Sequence, residues 1–581
     1  MALVHCPHAR RCPGCPLIEL PYPAQLSRKH ATLARALAAY PNLAAVAPAP
    51  TVPADPLEGF RLRSKLVTDG KALGLFARAS HAVVDIPECR IQRPRVLAVA
   101  AALRRNLAAL REVSSLDLRE ADAGVLVTAA VPPALSAAAR RALAERIALL
   151  EPNVASVAVS TREADAPQVL GSAPATLVGP GELRHQPDPG APFHYAAHGA
   201  FTQAHAGQQA RLHGAIELVL GAPALTPHER PAPRVLELYA GSGALSLRLA
   251  ARGHAVTLVE AFAPAVRMAE RAAAEQGLHV TALAADAADA LATFVREGAR
   301  FDDVIVNPPR RGVAPEVRRL LAELAPRRIV YISCNPDTLA RDAAHLTLTG
   351  YALRSATPFD MIPLSDAVET LAAFEPAPPP VPRVLAEGDA FLVVDKEPHV
   401  PVTRAGRGSS LEERARGLPG AGSAVALDRL DDEASGACLF AREPAAVPEL
   451  TRALALGQAR YAALVRGVIR ARSTLPNRGA LGAGSRYERA DVGPGYSLVR
   501  VDTTPAAFDD ALRAFASFRH PVLGDGRHGD RRANVHFAMC HELDRAFWHR
   551  ERLEFEHAGT CVQVESPLAP DLEAVLASAR G

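Results

Sequence analysis

The stretch "RVLELYAGSGALSLRLAARG", residues 234–253, runs from an apolar β-like segment through a glycine turn into a helix-like segment. A strand, a turn built on Gly241 and Gly243, and a helix form the opening unit of sheets that bind nucleotides at their carboxyl edge. Working outward, "AVTLVE" (255–260), "VTALAAD" (280–286), "DDVIVN" (302–307) and "RIVYISC" (328–334) read as strands. Between and after them, "PAVRMAERAAAEQGL" (264–278), "PEVRRLLAELA" (315–325) and "TLARDAAHLTLTG" (338–350) read as helices. Alternation at this spacing predicts an α/β fold with a doubly wound, Rossmann-like parallel sheet.

Glycines let a ligand approach the backbone, and Glu260, at the end of the second strand, is placed to bind ribose hydroxyls. A nucleoside cofactor follows, with an empty glycine turn as the plain alternative. A dinucleotide fold would prefer Gly or Ala where Ser246 stands, so a nicotinamide enzyme is less favoured. Asp286 follows the third strand, placed to face an adenine, and "NPPRRG" (307–312) follows the fourth.

At 581 residues the chain is too long for one hydrophobic core. The proline run "EPAPPPVPR" (375–383) cannot continue a helix or a central strand and marks a boundary. Residues 1–200 mix two helical patterns (27–40 and 132–150) with short strands and read as an α+β region; residues 201–375 hold the parallel sheet. Residues 376–383 are a linker, and 384–581 read as a further α+β domain. No apolar run is long enough for a membrane span, and the N-terminus lacks a signal-like apolar region, so a cytoplasmic protein is expected. The formal charge of +3 does not mark a nucleic-acid binder. Local basic stretches carry that case: "FRLRSK" (60–65), "NPPRRG", "APRRIV" (325–330) and "GDGRHGDRR" (524–532).

Eight cysteines are too few and too clustered for a disulfide framework. Cys6, Cys12 and Cys15 have the spacing C-x5-C-x2-C, and Cys89 in "IPECRIQ" is the natural fourth thiolate. Four such ligands suit zinc or an iron–sulfur cluster, with His5 and His8 as possible alternatives. Cys334 leaves a strand end just before Asn335-Pro336, and is either a core cysteine or a nucleophile at the sheet edge.

In order, "FTQAH" (201–205), "ELYAGSG", "VNPPRRG", "YISCNPDTLARD" and "FDMIPLSDAVET" (359–370) resemble the S-adenosylmethionine-dependent RNA uracil-5-methyltransferases, especially the branch acting on 23S ribosomal RNA. The resemblance covers residues 1–375. It implies a class I methyltransferase domain, S-adenosylmethionine as cofactor, a [4Fe-4S] cluster on the four cysteines rather than zinc, and an RNA partner. That RNA is 23S rRNA, or tRNA as the alternative; no membrane and no protein partner are implied. A radical mechanism is disfavoured, because its usual cysteine spacing is C-x3-C-x2-C.

Carbon 5 of uracil is a poor nucleophile. A thiolate adding to carbon 6 makes an enolate that activates carbon 5, and a base must then remove the carbon-5 proton. The resemblance assigns these roles to Cys334 and Glu369. Gln203, Tyr239, Gly241, Gly243, Glu260, Asp286 and Asn307 correspond to residues contacting the cofactor or target base, and Arg310 to an RNA contact. His205 stands where the family usually has Asn, and Ala367 where it often has His.

The segments "ALDRLDDEASGACLFAR" (426–442), "ARYAALVRG" (459–467) and "FRHPVLGDGRHGD" (518–530) resemble the RluA-type pseudouridine synthases. By that resemblance Asp431 is the essential aspartate, Tyr461 lies against the base and Arg429 helps to displace the target nucleotide. Asp428 replaces the usual His and Ala434 the usual Thr. The family's H-Q-[IL]-R segment is absent: Leu512 stands where the partner arginine of the aspartate belongs, with Arg513 adjacent as a substitute. The domain is either an active synthase or one retained for RNA binding. A chain with both centres vestigial would be an RNA-binding assembly factor.

Overall fold

The computed structural model describes residues 4–78, 80–163, 169–221, 232–403, 410–476 and 485–580. Three large sheets organise them. A seven-stranded sheet spans Arg63 to Val178, a second spans Arg234 to Pro376, and a ten-stranded sheet spans Val384 to Glu565.

The middle sheet comprises β1 (Arg234–Leu238), β2 (Ala255–Glu260), β3 (Val280–Ala284), β4 (Asp303–Val306), β5 (Arg328–Ser333), β6 (Tyr351–Phe359) and β7 (Glu369–Pro376). Its order is β3-β2-β1-β4-β5-β7-β6, the first five parallel and β7 antiparallel to both neighbours. The order reverses between β1 and β4, which opens a crevice at the carboxyl edge there.

Strand residues alternate between two cores, as a period of two requires. Val235, Ile305 and Val330 pack with Leu212 and Ile216 of the helix Ala206–Leu220 and with Leu245 and Leu249 of Ala244–Ala251. Leu236, Leu238, Val304 and Val306 face the helices Ala287–Arg296, Pro315–Leu324 and Pro336–Leu348. Coverage on both faces explains why the strands read as nearly unbroken apolar runs.

The helix Tyr22–Ala38 departs from expectation. Its Leu33 and Leu37 join the core of the middle sheet, so this part of the N-terminal region packs with the parallel sheet rather than with the one beside it in sequence. Lys29, 1% exposed, forms a salt bridge with the fully buried Asp360 and donates to Ile362 O at 3.1 Å. Tyr22 OH donates to the same carboxylate at 2.7 Å. The pairing has no local sequence signal, since its partners lie 331 residues apart.

No helix among the described residues is long and apolar enough to cross a membrane.

Replacing Lys29 by Met strands the Asp360 carboxylate in the core and is expected to cost about 3–5 kcal/mol. Equilibrium denaturation measures this, and Lys29→Met with Asp360→Leu should recover much of the loss.

Candidate active site

β1 delivers its last residues into a turn with an unusual backbone. Tyr239, Gly241 and Gly243 have φ values of 61°, 57° and 77°. Gly243 is required on two counts, because a Cβ would also meet the Ala269 Cβ at 2.9 Å. A Cβ on Gly241 would meet nothing within 4 Å, so that position opens onto free space at the crevice. The Gly241 N–H donates to Glu260 Oε2 at 3.0 Å and the Phe262 N–H to Glu260 Oε1 at 2.8 Å, fixing this half-buried carboxylate at the end of β2. Ser246 has a local reason as well: its hydroxyl hydrogen-bonds the Glu237 carboxylate, which is buried and pushed up to about 7 by that burial.

A cleft of about 920 Å³ runs along this edge, lined by Gln203, Tyr239, Gly241, Glu260, Asn307, Arg310, Cys334 and Glu369. The open Gly241 backbone beside an anchored carboxylate fits a nucleoside-bearing cofactor. Gly243 and Asp286 have structural parts of their own. Gly243 is buried against Ala269, and Asp286 caps the helix Ala287–Arg296, accepting from the Ala288 N–H at 2.8 Å. Neither is among the lining residues of the cleft.

Register brings the reactive pair together. β5 ends at Ser333, β7 begins at Glu369, and the antiparallel pairing sets Ser333 against Thr370. One residue beyond, Cys334 and Glu369 meet on adjacent strand ends. Asn335 caps the following helix, accepting from the Asp337 N–H at 3.1 Å, so the chain turns away just after the thiol. Burial pushes the Cys334 thiol up and the Glu369 carboxylate adds to the shift, while the Arg310 guanidinium, hydrogen-bonded to the thiol, pulls it back. Glu369, 8% exposed, is pushed up to about 7 by burial, with Arg310 pulling the other way.

Comparison with known proteins gives this arrangement a context. Residues 193–374 match the family model described as tRNA (Uracil-5-)-methyltransferase. A Pseudomonas fluorescens protein named 23S rRNA (uracil(1939)-C(5))-methyltransferase RlmD is 32% identical over 64% of this chain and 80% of its own length. An RNA methyltransferase of Geobacter sulfurreducens is 30% identical over 64% of this chain and 77% of its own. The chain belongs to the RNA uracil-5-methyltransferase family. Its fold is like that of the Pyrococcus abyssi tRNA (uracil-54, C5)-methyltransferase solved with S-adenosyl-L-homocysteine. There the TM-score is 0.50 at 22% identity, over 62% of this chain and 86% of that one.

Within this methyltransferase, several cleft residues carried little or no signal in the sequence. Arg61, Arg63 and Lys65 of "FRLRSK" reach the cleft from the N-terminal sheet, and Phe201 lines it while 65% exposed. His205 keeps the capping function of an Asn. Its Nδ1 accepts from the Gln208 N–H at 3.3 Å, so Nε2 carries the proton donated to Pro56 O at 3.0 Å. Burial holds this imidazole below its usual range, in keeping with the neutral tautomer.

Cys6, Cys12, Cys15 and Cys89 line one small cavity walled by Ile18, Leu75, Ile86 and Ile91. Burial raises the Cys12 and Cys89 thiols and takes Cys15 to about 12. Among the described residues no group of three or more His, Cys, Asp or Glu side chains is gathered to hold a single metal ion.

In the C-terminal domain the cation beside Asp431 is not where the sequence suggested. Leu512 is fully buried and Arg513 pairs with Asp509, whereas Arg527 of "GDGRHGD" lies 3.1 Å from the Asp431 carboxylate. Asp428, in the place of the usual His, forms a buried ion pair with Arg550. Tyr461 is fully buried. It accepts from Arg550 Nη2 at 2.8 Å, donates to Pro505 O at 2.9 Å and stacks on Trp548 at 4.9 Å. Arg429 is exposed.

Because Arg310 opposes the burial that raises the Cys334 thiol, Arg310→Met should slow alkylation of Cys334 by iodoacetamide at neutral pH. Peptide mass spectrometry reads the labelling of that cysteine separately from the other seven.

Proposed function

We propose that this methyltransferase modifies carbon 5 of a uridine in 23S rRNA, at the site equivalent to that named for its RlmD relatives, using S-adenosylmethionine. The observation that carries the reading is the pairing of β5 with β7, which joins a thiol, a carboxylate and Arg310 at one end of the cleft. Gln203, Tyr239, Gly241, Glu260 and Asn307 would hold the cofactor, with Glu260 on its ribose hydroxyls. Bound there, it supplies an electrophilic methyl group.

Cys334 adds its sulfur to carbon 6 of the uracil, and the electrons of the carbon 5–carbon 6 bond move to form an enolate nucleophilic at carbon 5. Arg310 favours the thiolate needed for that addition. Once carbon 5 is methylated, the Glu369 carboxylate takes the proton left on it and the carbon–sulfur bond breaks. A base titrating near 7 is matched to this task at neutral pH. Arg61 and Lys65 supply charge for the RNA backbone and Phe201 an exposed ring for base stacking.

The four cysteines would hold a [4Fe-4S] cluster. Four half-buried thiols lining one apolar cavity are costly as thiolates unless a cationic group joins them, and tetrahedral sulfur ligation suits iron.

A second reading, pseudouridine synthesis centred on Asp431, is favoured by the Arg527 pair, which returns a cation to the carboxylate that lost its usual partner.

RNA carrying 5-fluorouridine has no proton for Glu369 to remove, so it should trap a stable adduct with the wild type and none with Cys334→Ala. Absence of the wild-type adduct would sink the nucleophile assignment. Turnover should climb with pH through about 7, because Glu369 acts only when deprotonated and burial has raised its titration to that range. Glu369→Gln should accumulate adduct on ordinary RNA. Protein purified without oxygen should carry iron and acid-labile sulfide in equal amounts, both lost in Cys89→Ala; zinc without sulfide would overturn the cluster. In a Cys334→Ala background, tritium release from carbon-5-labelled uridine RNA should disappear with Asp431→Ala and fall with Arg527→Met.

A further inference from the structure

Among the described residues, a short segment at residues 542–544 joins the C-terminal domain to the methyl-transfer site. The helix Arg531–His541 ends at Glu542, whose backbone takes the left-handed conformation with φ 60° and ψ 25°. A glutamate there bears a conformational cost that glycine avoids. Its carboxylate accepts a hydrogen bond from Asn335 Nδ2, on the residue that directly follows Cys334. The same Asn335 amide group donates to Arg310 O at 3.2 Å, and Thr338 Oγ1 donates to that carbonyl at 3.0 Å.

A second layer of contacts holds the segment in place. Arg341 Nη1 donates to Glu542 O at 3.2 Å, and its Nη2 donates to Arg311 O at 2.8 Å. Asp544 accepts from Arg318 at 2.8 Å and lies 3.5 Å from Arg341. Arg318 is 1% exposed and bonds Asp342 at 2.7 Å, which in turn accepts from the Val313 N–H at 2.9 Å. Thus the Arg310 and Arg311 carbonyls and the Val313 N–H, all in the loop bearing Arg310, are held by groups that the C-terminal domain contacts directly or through Arg318.

We propose that Glu542 is a positioning residue for methyl transfer: by fixing the Asn335 amide it sets the Arg310 loop against Cys334, so the C-terminal domain completes the methyltransferase site. This rests on the function proposed above. The C-terminal domain then has work in this chain whether or not Asp431 turns over a substrate. The small offset in Arg310 that follows from losing the anchor acts on the chemical step, because alignment of reacting groups is sensitive to shifts of an ångström or less.

The test uses the full chain, comparing wild type with Glu542→Gly, Glu542→Asn and Glu542→Gln. Glycine and asparagine suit the left-handed backbone, so both variants should melt at or above the wild-type temperature, and kinetics are read well below melting. For both, kcat of RNA methylation should fall by about 10- to 100-fold with the KM for RNA unchanged, and the 5-fluorouridine adduct should form correspondingly more slowly. Glu542→Gln keeps an acceptor for the Asn335 amide and should recover most of the rate. Wild-type kcat in the glycine and asparagine variants, a loss confined to KM, or a glutamine variant as slow as glycine would each overturn the proposal. A wild type that methylates no RNA would instead sink the functional reading, so the two failures are distinct.

Discussion

One antiparallel strand in an otherwise parallel arrangement decides this site. Were β7 parallel to β5, its first residue would sit at the opposite end of the sheet from Cys334. Running the other way, it starts where β5 stops, and the Ser333–Thr370 register leaves thiol and carboxylate side by side. Both groups are then desolvated, and burial raises both above their ordinary ranges. Arg310 is the counterweight: its guanidinium opposes the burial that raises each group, favouring the thiolate and the carboxylate.

Much of the middle sheet was legible because parallel strands buried on both faces leave unbroken apolar runs, and glycine turns punctuate them. The glycine turn was legible for the same local reasons, whereas the roles of Cys334 and Glu369 came from the resemblance of their motifs to a family rather than from local pattern. Less legible were the parts of basic stretches whose placement depends on tertiary contact. "FRLRSK" reads as one basic stretch among four, and only folding sets its Arg61, Arg63 and Lys65 on the cleft. Arg527 lies 96 residues beyond Asp431 by numbering, and only folding sets them 3.1 Å apart. Asp286 has a local part as well, since an aspartate after a strand can cap the next helix, as it does here.

Departures from family pattern in this chain come with local compensation. His205 uses one ring nitrogen to cap a helix, as an asparagine would, and spends the other on a carbonyl. Asp428 finds Arg550 in the core, and that arginine also holds Tyr461. Substitutions of this kind keep a scaffold intact, which is a separate matter from keeping a reaction.

The ion pair between Lys29 and Asp360 also constrains the order of events during synthesis. Its two ends emerge from the ribosome 331 residues apart. At typical elongation rates that separation lasts on the order of tens of seconds. Through that interval the helix Tyr22–Ala38 has a lysine meant for the interior and no carboxylate to receive it, and Leu17, whose N–H later donates to Leu364 O at 3.0 Å, waits as well. The helix thus completes its polar contacts only when the middle sheet is nearly whole, whereas Cys6, Cys12 and Cys15 just before it share a cavity with Leu75, Ile86, Cys89 and Ile91, all within the first hundred residues of the chain.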